Sequence, residues 1–150
     1  MTDLFDRLER ASREAVGHAL FTITRFDPAT LEVERVHSSN PVAYPVGGRK
    51  QKRDTEFSRR ILLRGETLVC EGDDEIASVF DDHAHIRSLG LRSSINVPVL
   101  SRDRSCIGVV NFLMTSDRVS AAQIDAASVI AADADLAVAI TSTRSATESP

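Results

Sequence analysis

Between Arg92 and Met114 the chain reads RSSINVPVL, SRDR and SCIGVVNFLM. Two long runs rich in β-branched and apolar residues, separated by four polar ones, predict strands from Arg92 to Leu100 and from Ser105 to Met114. The turn Ser101-Arg102-Asp103-Arg104 joins them as a hairpin. Strand periodicity sends Ser94 and Asn96 to one face and Ile95, Val97 and Val99 to the other. The apolar face needs cover, and the polar face needs hydrogen-bond partners, either from the surrounding sheet or from a ligand. Asn111 on the second strand is a third polar candidate, with the pairing register open.

The segments upstream supply the remaining elements. Leu4, Leu8, Ala11 and Ala15 recur at helical spacing among Asp, Arg and Glu, which makes an amphipathic helix of about the first sixteen residues. HALFTITRF (His18 to Phe26) and LEVERVH (Leu31 to His37) alternate around Asp27-Pro28-Ala29-Thr30 and predict another hairpin. Next comes SSNPVAYPVGGRKQK, whose prolines, glycines and Asn-Pro step preclude regular structure over about twelve residues. A loop of that length in a compact domain is more often functional than idle.

Asp54 or Thr55 then caps a helix through about Leu63, with Phe57 and Ile61 on one face, and Gly65 ends it. Glu66 to Glu71 is a short strand. Asp73-Asp74-Glu75 opens a small helix ending near Phe80, and Asp81 or Asp82 caps another that stops at Gly90. Ser120-Ala-Ala-Gln123 is a capping box that opens a helix to about Ile140. That helix has two apolar stripes, one with Ile124, Ala131 and Val138, the other with Val129, Leu136 and Ile140. It must bury two faces: one on the sheet, the other on the N-terminal helix, on the same helix of a second subunit, or on both.

Residues 142–150 are polar and predicted to be disordered, leaving residues 1–141 as a single domain. A chain of 150 residues with 42% apolar content can bury one core without staples. Its formal charge of −4 argues against nucleic-acid or anionic-membrane partners, which require a surplus of Lys and Arg. Asp125, Asp133 and Asp135 make membrane insertion of the last helix costly. The N-terminus lacks the apolar core of a signal peptide, so a cytoplasmic location is expected. Cys70 and Cys106 are the only cysteines and have no Cys-x-x-Cys spacing, so neither a disulfide framework nor a zinc site is signalled.

The amphipathic first helix, the strand FTITRF, the segments SLGLRSSINVPV and CIGVVNFL, and the long closing helix together resemble a GAF domain, the small-molecule sensing fold related to PAS. The resemblance covers about residues 3 to 140. It implies an α+β, profilin-like fold: an antiparallel sheet of five to six strands, terminal helices packed on one face, loops and short helices enclosing a pocket on the other. It also implies dimerisation through the terminal helices. The NKFDE-type signature of cyclic-nucleotide-binding members cannot be traced, and no cysteine matches a bilin attachment site. The cysteines used by the family's free methionine sulfoxide reductases are missing from the run after Tyr44-Pro45 and from His83 to Ser88.

Within that frame the candidate ligand-binding residues fall into three groups. Ser94, Asn96 and Asn111 are the candidate pocket floor. In YPVGGRKQKR, Tyr44 offers a ring and a hydroxyl, Gly47-Gly48 allow close backbone approach, and Arg49 and Lys50 could meet an anion; otherwise this is a solvated loop. Phe57, Ile61 and Phe80 are apolar candidates. His83 and His85 lie about 200° apart on a helix and cannot chelate one metal. His83 shares a side with Ile86, and either ties the lid, the two short helices from Asp73 to Gly90, to its neighbours or meets a ligand.

The expected function is that of a sensor module: a homodimer that binds a small polar or anionic metabolite, uses no cofactor and signals to a separate output protein. Two alternatives stay open. One is an enzyme, redox or hydrolytic, using Cys70 or His83, in its redox form of the free methionine sulfoxide reductase type with Cys70, although no nucleophile, base and orienting group assemble from the sequence. The other is a structural dimerisation module with no ligand.

Overall fold

The structure, a computed structural model, describes residues 2–51 and 54–148. Six strands, β1 (Leu20–Asp27), β2 (Glu32–Ser38), β3 (Arg49–Gln51), β4 (Leu68–Glu71), β5 (Ser93–Leu100) and β6 (Cys106–Met114), form one antiparallel sheet in the order β3-β2-β1-β6-β5-β4. The helices are α1 (Thr2–Ala15), α2 (Asp73–Val79), α3 (His83–Ser88), α4 (Ala121–Ala131) and α5 (Ala134–Glu148), and a π-helical turn spans Ser58–Leu63. This is the expected α+β fold, with six strands.

Alternation along the strands divides the core in two. Phe21, Ile23, Ile95, Val97, Val110 and Phe112 point to the side covered by α1, α4 and α5, where they meet Phe5, Leu8, Ala127, Ile130, Leu136 and Ile140. Leu20, Phe26, Leu68, Val109 and Leu113 point to the other side, under Phe57, Ile61, Leu62, Ile76, Val79 and Ile86. A sheet buried on both faces explains why Ser93 to Val99 is buried throughout. The open register closes with Asn96 directly opposite Asn111 on β6.

Several elements depart from their predicted bounds. The buried stripe of α1 is Phe5, Leu8, Ser12 and Val16, while Ala11 and Ala15 are exposed. Burying the Phe5 ring, which packs on His37 at 5.6 Å between centroids, removes more apolar area from water than burying two alanines. Ser12 is tolerated inside because its Oγ is hydrogen-bonded to His18 Nδ1 at 2.6 Å, and burial pushes His18 down to about 4. The loop after β2 contains the strand β3, paired with Glu32 to Glu34. Of Glu66 to Glu71, only Leu68–Glu71 is strand.

The predicted single C-terminal helix is two helices. Its start is as read: Ser120 Oγ accepts the Gln123 N–H at 3.1 Å, and Gln123 Oε1 accepts the Ser120 N–H at 2.9 Å. The break comes at Asp133, whose carboxylate accepts the Asp135 N–H at 2.9 Å and so caps α5. Gln123 Nε2 donates to the Val16 carbonyl at 2.8 Å, tying α4 to the end of α1. Helix α5 continues to Glu148, through most of the segment read as a disordered tail. Ser149 and Pro150, like Lys52 and Arg53 of the basic run, lie outside the described residues. Among the described residues no helix is long and apolar enough to cross a membrane.

Gly108 sits where α5 crosses the sheet. A Cβ there would lie 2.7 Å from the Thr24 carbonyl oxygen and 2.9 Å from Ile140 Cδ1. Gly108→Ala is expected to cost about 1–3 kcal/mol by overpacking. Gly48→Ala, where a Cβ meets nothing within 4 Å, should stay within about 0.5 kcal/mol. Urea denaturation of both variants checks the contrast.

Candidate functional site

On the face of the sheet away from α1, α4 and α5 lies a cavity of about 720 Å³. Its floor is β1 and β6, through Leu20, Thr22, Thr24, Val109, Asn111 and Leu113. One wall is Val33 and Arg35 of β2 with Lys50 and Gln51 of β3; the roof is Phe57, Leu62 and the segment from Val79 to Ile86. The loop from Ala43 to Val46 closes the remaining side.

On this same face a row of side chains crosses the sheet. Thr22 Oγ1 donates to Asn111 Oδ1 (3.2 Å), Asn111 Nδ2 donates to Asn96 Oδ1 (2.7 Å), and Asn96 Nδ2 donates to the Leu68 carbonyl and to Ser94 Oγ (both 3.0 Å). The row therefore links β1, β6, β5 and β4. Ser94 and Asn96 are fully buried and do not line the cavity, which corrects their assignment to the pocket floor. The reason is physical: β4 lies along β5, and its Leu68 carbonyl takes the amide hydrogen that a ligand would otherwise need. Of the three, only Asn111 reaches the cavity.

The mouth is held by contacts between loop and lid. Tyr44, 8% exposed, donates its hydroxyl to Asp82 Oδ2 at 2.8 Å. The Tyr44 ring lies 5.0 Å from the His85 ring, and His85 Nε2 donates to the Ala43 carbonyl at 3.1 Å. On its other flank the Arg35 guanidinium lies 4.9 Å from the Tyr44 ring centre, and Arg35 Nη1 donates to the Pro45 carbonyl at 3.0 Å. Burial pushes the Tyr44 phenol up and draws the Arg35 guanidinium down, the latter partly restored by Tyr44 and Asp82.

Two further sequence assignments change here. Asp82 precedes α3 without capping it, because its carboxylate is turned to Tyr44. His83 is exposed and does not line this cavity; His85 is the histidine at the mouth. His85 is held there by the Ala43 carbonyl and the Tyr44 ring, contacts that His83 on the far end of the helix does not make. Ile61, at 0% exposure, packs in the core behind the roof rather than lining the cavity. Tyr44, Lys50, Phe57, Phe80 and Asn111 do line it, with the rings of Phe57 and Phe80 5.3 Å apart.

Arg35, His85, Thr22 and Thr24 escaped the sequence reading. Thr22 and Thr24 carried a signal, since they alternate with Phe21, Ile23 and Arg25 in FTITRF. Arg35 follows the same alternation as Val33, two residues before it, and both line the cavity; the bulge, where β1 pairs Ile23 with His37 but Thr24 with Arg35, falls after it.

The thiols lie elsewhere. Cys70 borders a second cavity, of about 740 Å³, between the π-helical turn, β4 and α2. Burial pushes its thiol up, a hydrogen bond with Ser94 acting in the other direction. Cys106 is pushed up to about 11 by burial and donates to the Gly108 carbonyl at 3.1 Å. Both are thiols at neutral pH, unlike the thiolates of reactive cysteines. On the helix-covered side Asp6, Glu9 and His37 bring three potential metal-ligand atoms within 4.8 Å of one another, but the oxygens of Glu9 already meet His37 and Arg13, each at 2.7 Å.

The family model described as GAF domain matches residues 5–138. This chain belongs to the GAF family. No curated protein matches it. The fold is similar to that of the GAF domain of a two-component sensor histidine kinase from Bacillus halodurans: TM-score 0.76, 14% identity, covering 96% of this chain and 95% of that one. It is similar too to a GAF domain/HD domain protein from Geobacter sulfurreducens (TM-score 0.72, 16% identity, 93% and 92% covered). A third similar structure is the phycoerythrobilin-bound GAF domain of a cyanobacterial phytochrome (TM-score 0.62, 13% identity, 95% and 94% covered). These likenesses establish the fold.

In this GAF domain the paired amides are structural. Asn96→Ala would leave Asn111 Nδ2 and the Leu68 carbonyl buried without their partner. The expected loss is about 2–4 kcal/mol, and a urea titration with unchanged m-value measures it.

Proposed function

We propose that this GAF domain is a sensory module that binds a small organic molecule in the cavity over β1 and β6 and, as a dimer, passes its occupancy to a separate output protein. The observation that carries this reading is the closure of that cavity: Tyr44 on the loop donates to Asp82 on the lid, across a space of about 720 Å³. That size is within the range of roughly 300–1,000 Å³ common for small-molecule sites. A ligand touching Arg35, Tyr44 or His85 bears on the contacts that join loop and lid, so its binding favours one arrangement of them over another. The sensor-kinase and phytochrome origins of similar domains support a signalling role.

Dimerisation through the terminal helices is supported by Val129 and Val138, which are 73% and 66% exposed on α4 and α5. They belong to the stripes for which the sequence asked for a second covering surface.

Two measurements test these readings. Mass spectrometry of the denatured protein should release a stoichiometric small molecule, and Thr24→Trp, which fills the floor, should abolish it. No released molecule, together with no melting-temperature rise from any metabolite screened, would reject the sensor. Light scattering at tens of micromolar should give a dimer, converted to a monomer by Val129→Glu combined with Val138→Glu; a wild-type monomer rejects the dimer.

A further inference from the structure

We infer that the ligand of this cavity is an amphipathic monocarboxylate, its carboxylate held by Arg35 with Lys50 at the rim and its apolar body lying against Phe57, Phe80 and Leu113. The inference rests on the reading of the cavity as a small-molecule site and adds the chemistry of the occupant.

The cations of the β1 to β3 edge are treated unequally by the fold. Arg25 is ion-paired with the buried Glu34, and Arg49 Nε reaches the same carboxylate at 3.3 Å. Arg35 has no ion pair among the described residues, and its Nε is buried without a hydrogen-bond partner. Its only hydrogen bond there goes from Nη1 to the Pro45 carbonyl, which leaves most of a five-donor fork uncommitted. A half-buried guanidinium whose buried Nε is unfilled is costly, and an incoming carboxylate relieves that cost with charge-assisted bonds. Thr24 stands opposite Arg35 in the β1–β2 ladder and lines the same cavity, so its hydroxyl is placed beside the anion. Lys50, opposite Val33 on β3, has no ion pair among the described residues and adds a second positive charge.

Asp81 and Asp82 on the lid limit how much negative charge the cavity takes. They balance Arg35 and Lys50, so a phosphate or a second carboxylate under the lid would meet like charge in a partly desolvated space. One carboxylate at the β2 wall is compatible; a polyanion is not. The remaining lining is dominated by apolar side chains from floor and roof, including the paired rings of Phe57 and Phe80, and these favour an aryl or branched aliphatic body.

The test uses 3-phenylpropanoate and isovalerate beside their neutral amides, with phenyl phosphate as the more highly charged probe, measured by calorimetry and thermal shift. The carboxylates are expected to bind at least tenfold tighter than their amides and than phenyl phosphate. Arg35→Gln should erase the preference over the amides, and Lys50→Gln, at an exposed position, should weaken carboxylate binding several-fold and in a salt-dependent way. Amides binding as tightly as carboxylates would overturn the inference while leaving the small-molecule reading in place. Carboxylate binding unchanged in both variants would overturn the anchor. Release of a molecule without a carboxylate from the purified protein would reject the inference and uphold the cavity as a site, whereas no binding of any probe together with no released molecule would reject both.

Discussion

The Asn96–Asn111 amide pair lies where β5 meets β6, and much of the fold follows from it. Each amide is buried, so each must be satisfied, and the partners come from four strands: Thr22 on β1, Asn111 on β6, Asn96 and Ser94 on β5, and the Leu68 carbonyl on β4. A slip of β5 by one residue would send Asn96 into the helix-covered core and Ile95 and Val97 to the cavity side. Apolar packing alone would tolerate several registers between two runs so rich in valine and isoleucine. The amides admit one.

With the register pinned, the two faces take different work. The helix-covered face is closed by large apolar side chains from α1, α4 and α5, and approaches so closely at Gly108 that no side chain fits between strand and helix. The other face is roofed by short elements: a π-helical turn and two helices of seven and six residues. Such elements are too short to be stable alone and depend on the contacts that seat them. Tyr44 is central to that seating, touching Asp82, His85 and Arg35 at once. A site built there is ordered by a few polar contacts, each of which a ligand can reach.

What could be read in advance follows physical range. The strands β1, β2, β5 and β6, the Ser120 cap and the short helices after Asp73 and before Gly90 are local consequences of alternation, capping and glycine punctuation, and they stand within a few residues of their predicted places. Of the sequence candidates, Tyr44, Lys50, Phe57, Phe80 and Asn111 line the cavity. Ser94 and Asn96 were identified as a polar pair needing partners, which is correct, but whether a strand or a ligand supplies them depends on what lies beside β5. The choice between His83 and His85 turned on the Ala43 carbonyl and the Tyr44 ring, contacts that exist only once loop and lid are assembled.

The sequence by itself determined the α+β class, the central hairpin, the polar and apolar faces of β5 and the helical closure, because each depends on residues within one or two turns or on strict alternation. Only the tertiary structure decided that Asn96 is consumed by the Leu68 carbonyl, that Asp82 receives Tyr44 rather than capping α3, that Asp133 divides the last helix, and that Arg35 is brought to the cavity with its Nε unfilled among the described residues. Each of those outcomes is a competition among several partners for one polar group. The winner is set by which segments the folded chain brings within hydrogen-bond reach, a distance that the linear order of residues does not contain.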